Sequence, residues 1–152
     1  MSGGMAIDLT AIRQRAADAR NLAVVATTRP DGSVHASLVS AGVIDDPVTG
    51  EPSVGLVVGG GTAKLRHLRR AGRAAVVFQA GYRWAGVEGP VRIVGPDDLD
   101  GGVAATDVPA LLRAVFVAAG GTHDDWAEYD RVMAAERRTA VFVTATRVTG
   151  TG

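Results

Sequence analysis

The hydrophobic positions of this chain change period after residue 20, from the spacing of a helix to that of strands. Within the N-terminal segment 1–20, apolar residues recur every three or four positions between Leu9 and Ala19. This pattern predicts a short amphipathic helix from Asp8 to Ala19, with Asp8 as its N-terminal cap.

Residues 21–95 contain apolar runs that are separated by turn residues, a pattern typical of strands. The turn "RPDG" at 29–32 joins the first two runs as a hairpin. Gly86 and Gly89 interrupt the fifth run and predict bulges or bends. The predicted strands are 21–28, 33–44, 53–60, 73–80 and 83–95.

The last third of the chain returns to helical spacing before a final apolar run. Two helices are predicted over 106–121 and 122–138. The second begins with acidic residues and ends with arginines, an order that the helix macrodipole favours. The run "TAVFVTATRV" predicts a sixth strand over 139–148.

The connections between these strands indicate the fold class. Most of them are too short for a crossover helix, so neighbouring strands are expected to be antiparallel. The 152 residues are 47% hydrophobic, which suits one domain over 1–152 with a substantial core. We therefore predict a mainly β fold, a six-stranded antiparallel split β-barrel with peripheral helices.

Composition narrows the possible chemistry and partners. The chain has no cysteine, which excludes disulfides, thiolate metal sites and a cysteine nucleophile. The first 20 residues carry charges throughout and no later run is long and uncharged, so we expect a cytoplasmic protein without export or membrane spanning. Sixteen basic residues balance 16 acidic ones, and no aromatic residues interrupt the basic cluster. Nucleic-acid binding is therefore not expected.

A basic segment, "VVGGGTAKLRHLRRAG" at 57–72, carries the strongest indication of a site. Thr62 and Gly72 have the residue types of helix caps, which predicts a short basic helix over 62–71. Lys64 then lies in the first turn, where a cation is unfavourable because of the helix dipole. A ligand anion that contacts both Lys64 and the free N–H groups would remove this disadvantage. Gly60 and Gly61 would let the backbone approach a phosphate closely. A solvated basic face is the alternative explanation.

Other candidate chemistry is sparse. The histidines lack the spacing of metal ligands, and no nucleophile elbow or acid pair is present, so no metal site is expected and no catalytic residue can be named. A bound cofactor would then carry the chemistry. Tyr82 and Trp84 are predicted to stack on a ring, to anchor a subunit interface or to be core residues.

Four segments at 23–40, 55–77, 82–93 and 122–148 together resemble a known family. The most specific pieces are K-x-R-x-L-R-R at 64–70 and W-x-x-Y followed by Arg-Arg within 126–138. The chain resembles the actinobacterial split β-barrel deazaflavin-dependent oxidoreductases, which are relatives of pyridoxamine 5′-phosphate oxidase. The resemblance covers nearly the whole chain, from about Leu22 to Val148.

The resemblance implies a homodimer that binds coenzyme F420 in a groove between subunits. Reduced F420 would donate a hydride to a conjugated small molecule such as a quinone, an unsaturated lactone or a tetrapyrrole. The implied cofactor-binding residues, by role, are Ser37, Val39 and Ser40 along the ring system; Gly60, Gly61, Thr62 and Lys64 at the phosphate; Arg66 and Arg69 near the anionic tail; Tyr82 and Trp84 from the partner subunit; and Arg137, or Arg138, closing the site.

The segment also departs from the family pattern. Some relatives have arginine at the position of Thr62 and Asp-Pro at the position of Ala71-Gly72, which affects contacts to the anionic tail. The pattern at 64–70 is also compatible with FMN. An FMN-dependent oxidase or reductase and a non-catalytic protein that binds F420 or a flavin are therefore the alternative functions.

Overall fold

Six antiparallel strands form a closed barrel in the computed structural model, which describes residues 9–99 and 102–151. The strand order around the barrel is β4-β1-β2-β3-β6-β5, and pairing of β4 with β5 closes it. A seventh strand pairs with β5. The strands are β1 Leu22–Thr28, β2 Val34–Asp45, β3 Pro52–Val58, β4 Arg73–Ala80, β5 Arg83–Val94, β6 Thr139–Thr144 and β7 Arg147–Gly150. The predicted fold class is confirmed.

Four helices surround the barrel. They are α1 Thr10–Asp18, α2 Ala63–Ala71, α3 Val108–Ala118 and α4 Trp126–Ala135, and a 3-10 turn, Ala105–Asp107, precedes α3. The longest, α3, has 11 residues, and none of the helices in the described part of the chain has both the length and the apolar character to cross a membrane.

The barrel interior is filled by alternate residues of the strands. On β1, Ala23 and Val25 are buried and their neighbours point outward, as the period of two requires. Leu65 and Leu68 of α2 are fully buried in the same core cluster, together with Ile12 of α1. Burial of its two leucines holds α2 against the barrel.

The prediction of one strand over 139–148 was wrong. The end of the chain contains two strands. It forms β6 and β7, which lie along the same edge of β5. Between these two pairings β5 has two residues and the opposite strand has three, which is a β-bulge. A Cβ at Gly89 would lie 2.0 Å from the carbonyl oxygen of Thr144. Gly89 therefore marks a bulge, as the sequence indicates.

The predicted bounds of the two helices in the last third of the chain were also wrong. The helix predicted from residue 106 is regular only from Val108, after the 3-10 turn. The helix predicted over 122–138 begins at Trp126, after an Asp125 cap that accepts a hydrogen bond from the Glu128 N–H at 3.1 Å. It ends at Ala135, so the paired arginines follow the helix. At the N-terminus, Leu9 precedes α1, and Asp8 lies outside the described residues.

The sequence predicts Asn21 as the first residue of a strand, but in the structure Asn21 precedes β1. It has a left-handed φ of 63°, and its side-chain amide donates to the carbonyl oxygens of Ala41 at 3.0 Å and Ala118 at 3.3 Å. A Cβ at Gly42 would lie 1.9 Å from that same Ala118 oxygen. Asn21 and Gly42 thus hold the end of α3 against β2.

Candidate functional site

The barrel is split along one edge of β2. Residues 34–40 of β2 pair with β1, but β2 pairs with β3 only from Ala41 to Asp45. Beyond Leu56, β3 continues along β6. No described strand covers the second edge of residues 34–40, so this edge presents backbone N–H and C=O groups that can bind a ligand.

A cavity of about 450 Å³ lies where β2 and β3 separate. This volume is within the range of small-molecule sites. Strand residues form its floor, the start of α2 forms one wall, and α3 with α4 forms the other. Its lining residues are Leu38, Val39, Ser40, Val57, Val58, Gly59, Thr62, Lys64, Phe116, Ala119, Tyr129, Met133 and Arg138. We call this cavity the groove.

Helix α2 begins at the groove because its caps define both of its ends. The Thr62 hydroxyl oxygen accepts a hydrogen bond from the Leu65 N–H at 3.3 Å and donates to the Gly59 carbonyl at 2.9 Å. Gly72 ends the helix with a left-handed φ of 69°. Both predicted caps are confirmed, and the first-turn N–H groups lie at the groove wall.

Lys64 contributes a cation without an anionic partner to this wall. It is half-buried, and burial lowers the pKa of its ammonium group because the charged form loses solvation. None of the described carboxylates forms an ion pair with it. A ligand anion between Lys64 and the helix N-terminus would supply the missing counter-charge.

The cations nearer the end of α2 have partners within the chain. Arg69 forms two hydrogen bonds with the carboxylate of Asp98, at 3.0 and 2.5 Å. Arg70 donates to the carbonyl oxygen of Thr28. The pair with Asp98 leaves only the Nη1 nitrogen of Arg69 without a described acceptor, which limits its predicted role at an anionic tail.

The glycines before α2 differ in their surroundings. A Cβ at Gly60 would lie 2.6 Å from the Arg137 carbonyl oxygen, so packing within the chain explains this glycine. Gly61 has open space around it, and its carbonyl oxygen accepts a hydrogen bond from Arg66 at 3.2 Å. Of the two, only Gly61 leaves room for a ligand, and neither lines the groove.

The three predicted ring contacts on β2 lie in two environments. Val39 and Ser40 line the groove. Ser37 does not: it pairs with the fully buried Val25, and its hydroxyl oxygen is buried with no hydrogen-bond partner among the described residues. Leu38, which the sequence did not single out, lines the groove and is 67% exposed.

The two adjacent arginines after α4 also separate. Arg137 forms an ion pair with Asp97, with its Nε at 2.9 Å from the carboxylate, and does not line the groove. Arg138 lines it and donates from Nε to Glu136 at 2.8 Å. The arginine available to close the groove is therefore Arg138.

Tyr82 and Trp84 lie at the β4–β5 hairpin, outside the groove of their own subunit. Tyr82 is 99% exposed and Trp84 is 37% exposed, so the possibility that both are core residues is excluded. Their predicted contribution to the site of a partner subunit stays a prediction.

Sequence reasoning missed the wall that α3 and α4 provide. Phe116, Tyr129 and Met133 line the groove, and the Phe116 and Tyr129 rings are 4.9 Å apart between centroids. The Tyr129 hydroxyl donates to the Leu112 carbonyl at 3.2 Å, and burial raises the pKa of this phenol. Helical periodicity predicts an inward face for these residues, but it does not indicate which part of the barrel they cover.

Together these elements suit a flat ligand with an anionic group. The open strand edge offers hydrogen bonds to a ring system, the apolar side chains exclude water, and Lys64 with the start of α2 offers a place for the anion. Tyr129 keeps its proton and is already hydrogen-bonded, so it is not poised as an acid.

Comparison with known proteins finds the same fold in several of them. The family model for pyridoxamine 5′-phosphate oxidase matches residues 10–149. A conserved hypothetical protein from Mycobacterium tuberculosis has a TM-score of 0.67 at 21% identity, with 96% of this chain and 85% of that chain covered. A pyridoxamine 5′-phosphate oxidase-related, FMN-binding protein from Nostoc punctiforme has a TM-score of 0.65 at 10% identity, covering 95% and 83%. An F420 reductase has a TM-score of 0.58 at 19% identity, covering 86% and 90%. At these identities the structural likeness shows a shared fold.

Proposed function

The chain belongs to the pyridoxamine 5′-phosphate oxidase family, and from this premise we propose that it is an oxidoreductase that uses reduced coenzyme F420. Its substrate would be a conjugated small molecule, such as a quinone, an unsaturated lactone or a linear tetrapyrrole. The resemblance of segments 64–70 and 126–138 to deazaflavin-dependent enzymes supports F420 over other cofactors.

The observation that carries the proposal is the unpaired Lys64 at the start of α2, beside the open edge of β2. F420 combines a flat deazaflavin ring with a phosphate and an anionic tail. The groove residues fit both features, because Val39 and Ser40 lie along the open edge and Lys64 has no described acidic partner. An anion at Lys64 also gains from the α2 N-terminus.

When bound, reduced F420 would supply a hydride from its C5 carbon. The chain would position the reactants and exclude water from them. Lys64 and the α2 N–H groups would hold the phosphate, and the side chains of Phe116 and Met133 would limit the access of water. The proton would come from solvent or from a weak side-chain donor.

A homodimer is part of the proposal, and an exposed apolar face supports it. Leu22, Val24, Val34 and Leu38 lie on the outer face of β1 and β2, and each is between 43% and 67% exposed. Such a patch on a sheet is typical of an interaction surface. Leu38 also lines the groove, so a subunit packed on this face would reach the cofactor site.

The dimer has a direct test. Light scattering after size-exclusion chromatography is expected to give the mass of two chains, and Val24→Glu is expected to give the mass of one. A monomeric natural protein would contradict the proposed interface.

The cofactor proposal is tested by fluorescence titration of the ligand-free protein with F420 and, in parallel, with FMN. We expect saturable binding of F420 at micromolar concentration or below. Reduced F420 and a panel of conjugated acceptors would then be used to measure turnover. Absence of F420 binding would contradict the proposal.

Two alternatives have their own support. The FMN-binding neighbour supports an FMN-dependent oxidase or reductase, and the basic pattern of 64–70 is also compatible with FMN. Preferential binding of FMN would support that function. A non-catalytic protein that binds F420 or a flavin would use the same groove contacts. Tight binding of F420 without turnover of any acceptor would support this second alternative.

A further inference from the structure

A second cavity, of about 350 Å³, lies beside the groove, between the start of α3 and the end of α4. Its walls are mainly apolar and include Leu99, Val108 and Leu112. Met133 and Arg138 line this cavity and also the groove. The two spaces therefore share a wall, and one end of a ligand in the second cavity would lie at the edge of the groove.

Arg138 places a guanidinium, which is ion-paired with Glu136, at one end of this apolar cavity. Its Nε donates to Glu136 at 2.8 Å, and its two terminal nitrogens donate to none of the described residues. The other charged residue of the wall, Asp130, is neutralised by Arg113, whose Nε lies 2.9 Å from the Asp130 carboxylate. The donors left without a described partner are the two terminal nitrogens of Arg138.

From this geometry we infer that the second cavity binds a small carboxylic acid with an aromatic or unsaturated body. The apolar body lies between α3 and α4, where its burial removes hydrocarbon surface from water. The carboxylate lies on Arg138, because the planar guanidinium donates two parallel hydrogen bonds to a carboxylate. The cavity volume is at the lower end of small-molecule sites, which limits the body to one ring or a short chain.

The position of the cavity also relates this acid to the reaction. Because Arg138 is part of the groove wall, the carboxylate end of the ligand lies beside the proposed cofactor. Identification of the acid as the hydride acceptor rests on the proposed function. The binding of the acid does not rest on it, and can be measured without any cofactor.

The test uses trans-cinnamate and cinnamyl alcohol, which share a ring and a conjugated chain and differ in the carboxylate. Binding of each probe to the ligand-free protein is measured by isothermal titration calorimetry and saturation-transfer NMR. Cinnamate is expected to bind saturably and at least about tenfold more tightly than the alcohol, since a charge-assisted pair is lost with the alcohol.

Two adjacent alanines on α4 provide a matched pair of variants. Ala134 is exposed and lines the second cavity, and Ala135 is exposed and lines neither cavity. Ala134→Phe is expected to fill the cavity and to reduce cinnamate affinity at least about tenfold, whereas Ala135→Phe retains the affinity. Arg138→Gln is expected to weaken cinnamate and to leave the alcohol unchanged. Thermal unfolding verifies that each variant is folded.

Three results would overturn the inference. They are the absence of saturable cinnamate binding, equal affinities for cinnamate and the alcohol, and full cinnamate affinity in folded Ala134→Phe. F420 binding is measured separately on the same proteins. In the natural protein, absence of F420 binding with saturable cinnamate binding would refute the proposed function alone, and the reverse would refute the acid site alone.

Discussion

The two ends of α2 carry similar charge but lie in different surroundings. At the start of the helix, Lys64 is half-buried in the groove wall, with no described carboxylate paired to it. Near the end, Arg69 is held by Asp98 in two hydrogen bonds, and Arg70 donates to a backbone carbonyl of β1. One basic segment therefore contains a potential anion site and a set of structural contacts.

The difference shows why a run of basic residues is not by itself a binding site. The sequence places these cations on one short helix, but the acidic partner of Arg69 is 29 residues away in the chain. A cation that is already paired in the folded chain has part of its charge offset and some of its donors used, whereas the charge and donors of Lys64 have no described acidic partner. We therefore expect mutations at the start of α2 to affect ligand binding and mutations near its end to affect stability.

The largest effect is expected for Lys64→Ala. Loss of a hydrogen bond to a charged group should weaken F420 binding by roughly 1.5 to 3 kcal/mol, with little change in the free energy of unfolding. Fluorescence titration measures the first quantity and urea unfolding the second. Arg70→Ala is the control, and we expect it to retain F420 affinity. Equal affinities of natural protein and Lys64→Ala would place Lys64 on an ordinary solvated face.

Gly72→Ala is expected to have the next largest effect, and on stability only. Gly72 has a left-handed φ of 69° and open space around it, so the cost is that of the backbone conformation. This cost is about 1 to 2 kcal/mol of unfolding free energy. Gly61→Ala is the matched control, because Gly61 also has open space and its φ is outside the left-handed region. A Gly72→Ala variant as stable as Gly61→Ala would contradict the left-handed cap.

Arg69→Ala is expected to lower the free energy of unfolding by less than about 1 kcal/mol, because its pair with Asp98 is partly exposed. A double-mutant cycle with Asp98→Ala isolates the energy of this pair. We expect F420 affinity to be unchanged. A loss of affinity without a coupling energy would show instead that Arg69 leaves Asp98 to bind the anionic tail.

The smallest effect is a fall of F420 affinity as the pH becomes alkaline. Binding requires the charged form of Lys64, and burial lowers its pKa, so the neutral form arises at a lower pH than for an exposed lysine. Affinity should therefore fall as pH rises through this lowered pKa and stay constant below it. Lys64→Arg should remove the alkaline fall, since arginine keeps its charge. A profile that is identical in both proteins would assign the fall to another group.

Local features of the fold were predictable because neighbouring residues determine them. The bounds of β4 and the caps of α2, Thr62 and Gly72, agree with the sequence-based predictions. Strand periodicity indicates which residues of β1 face the core, and the glycine at 89 indicates the bulge. In each case the relevant interactions are within a few residues of the chain or follow from backbone geometry.

The candidate site was predictable only in part. Val39, Ser40, Thr62 and Lys64 line the groove as the resemblance implies. The opposite wall comes from α3 and α4, and the placement of α3 depends on contacts with β2 and β3. Asn21, which anchors α3 to β2, resembles an ordinary residue at the start of a strand when only the sequence is considered.

The sequence by itself determined the barrel class, the short capped basic helix and the presence of Lys64 in its first turn, since hydrophobic period and capping act over short distances. Only the tertiary structure decided that Lys64 lacks an acidic partner, that Arg69 pairs with Asp98 and that Arg138 rather than Arg137 lines the groove. These outcomes depend on which distant segments meet when the barrel closes. Which charged residues pair depends on contacts between segments that are distant in the chain, so a local sequence pattern does not determine it.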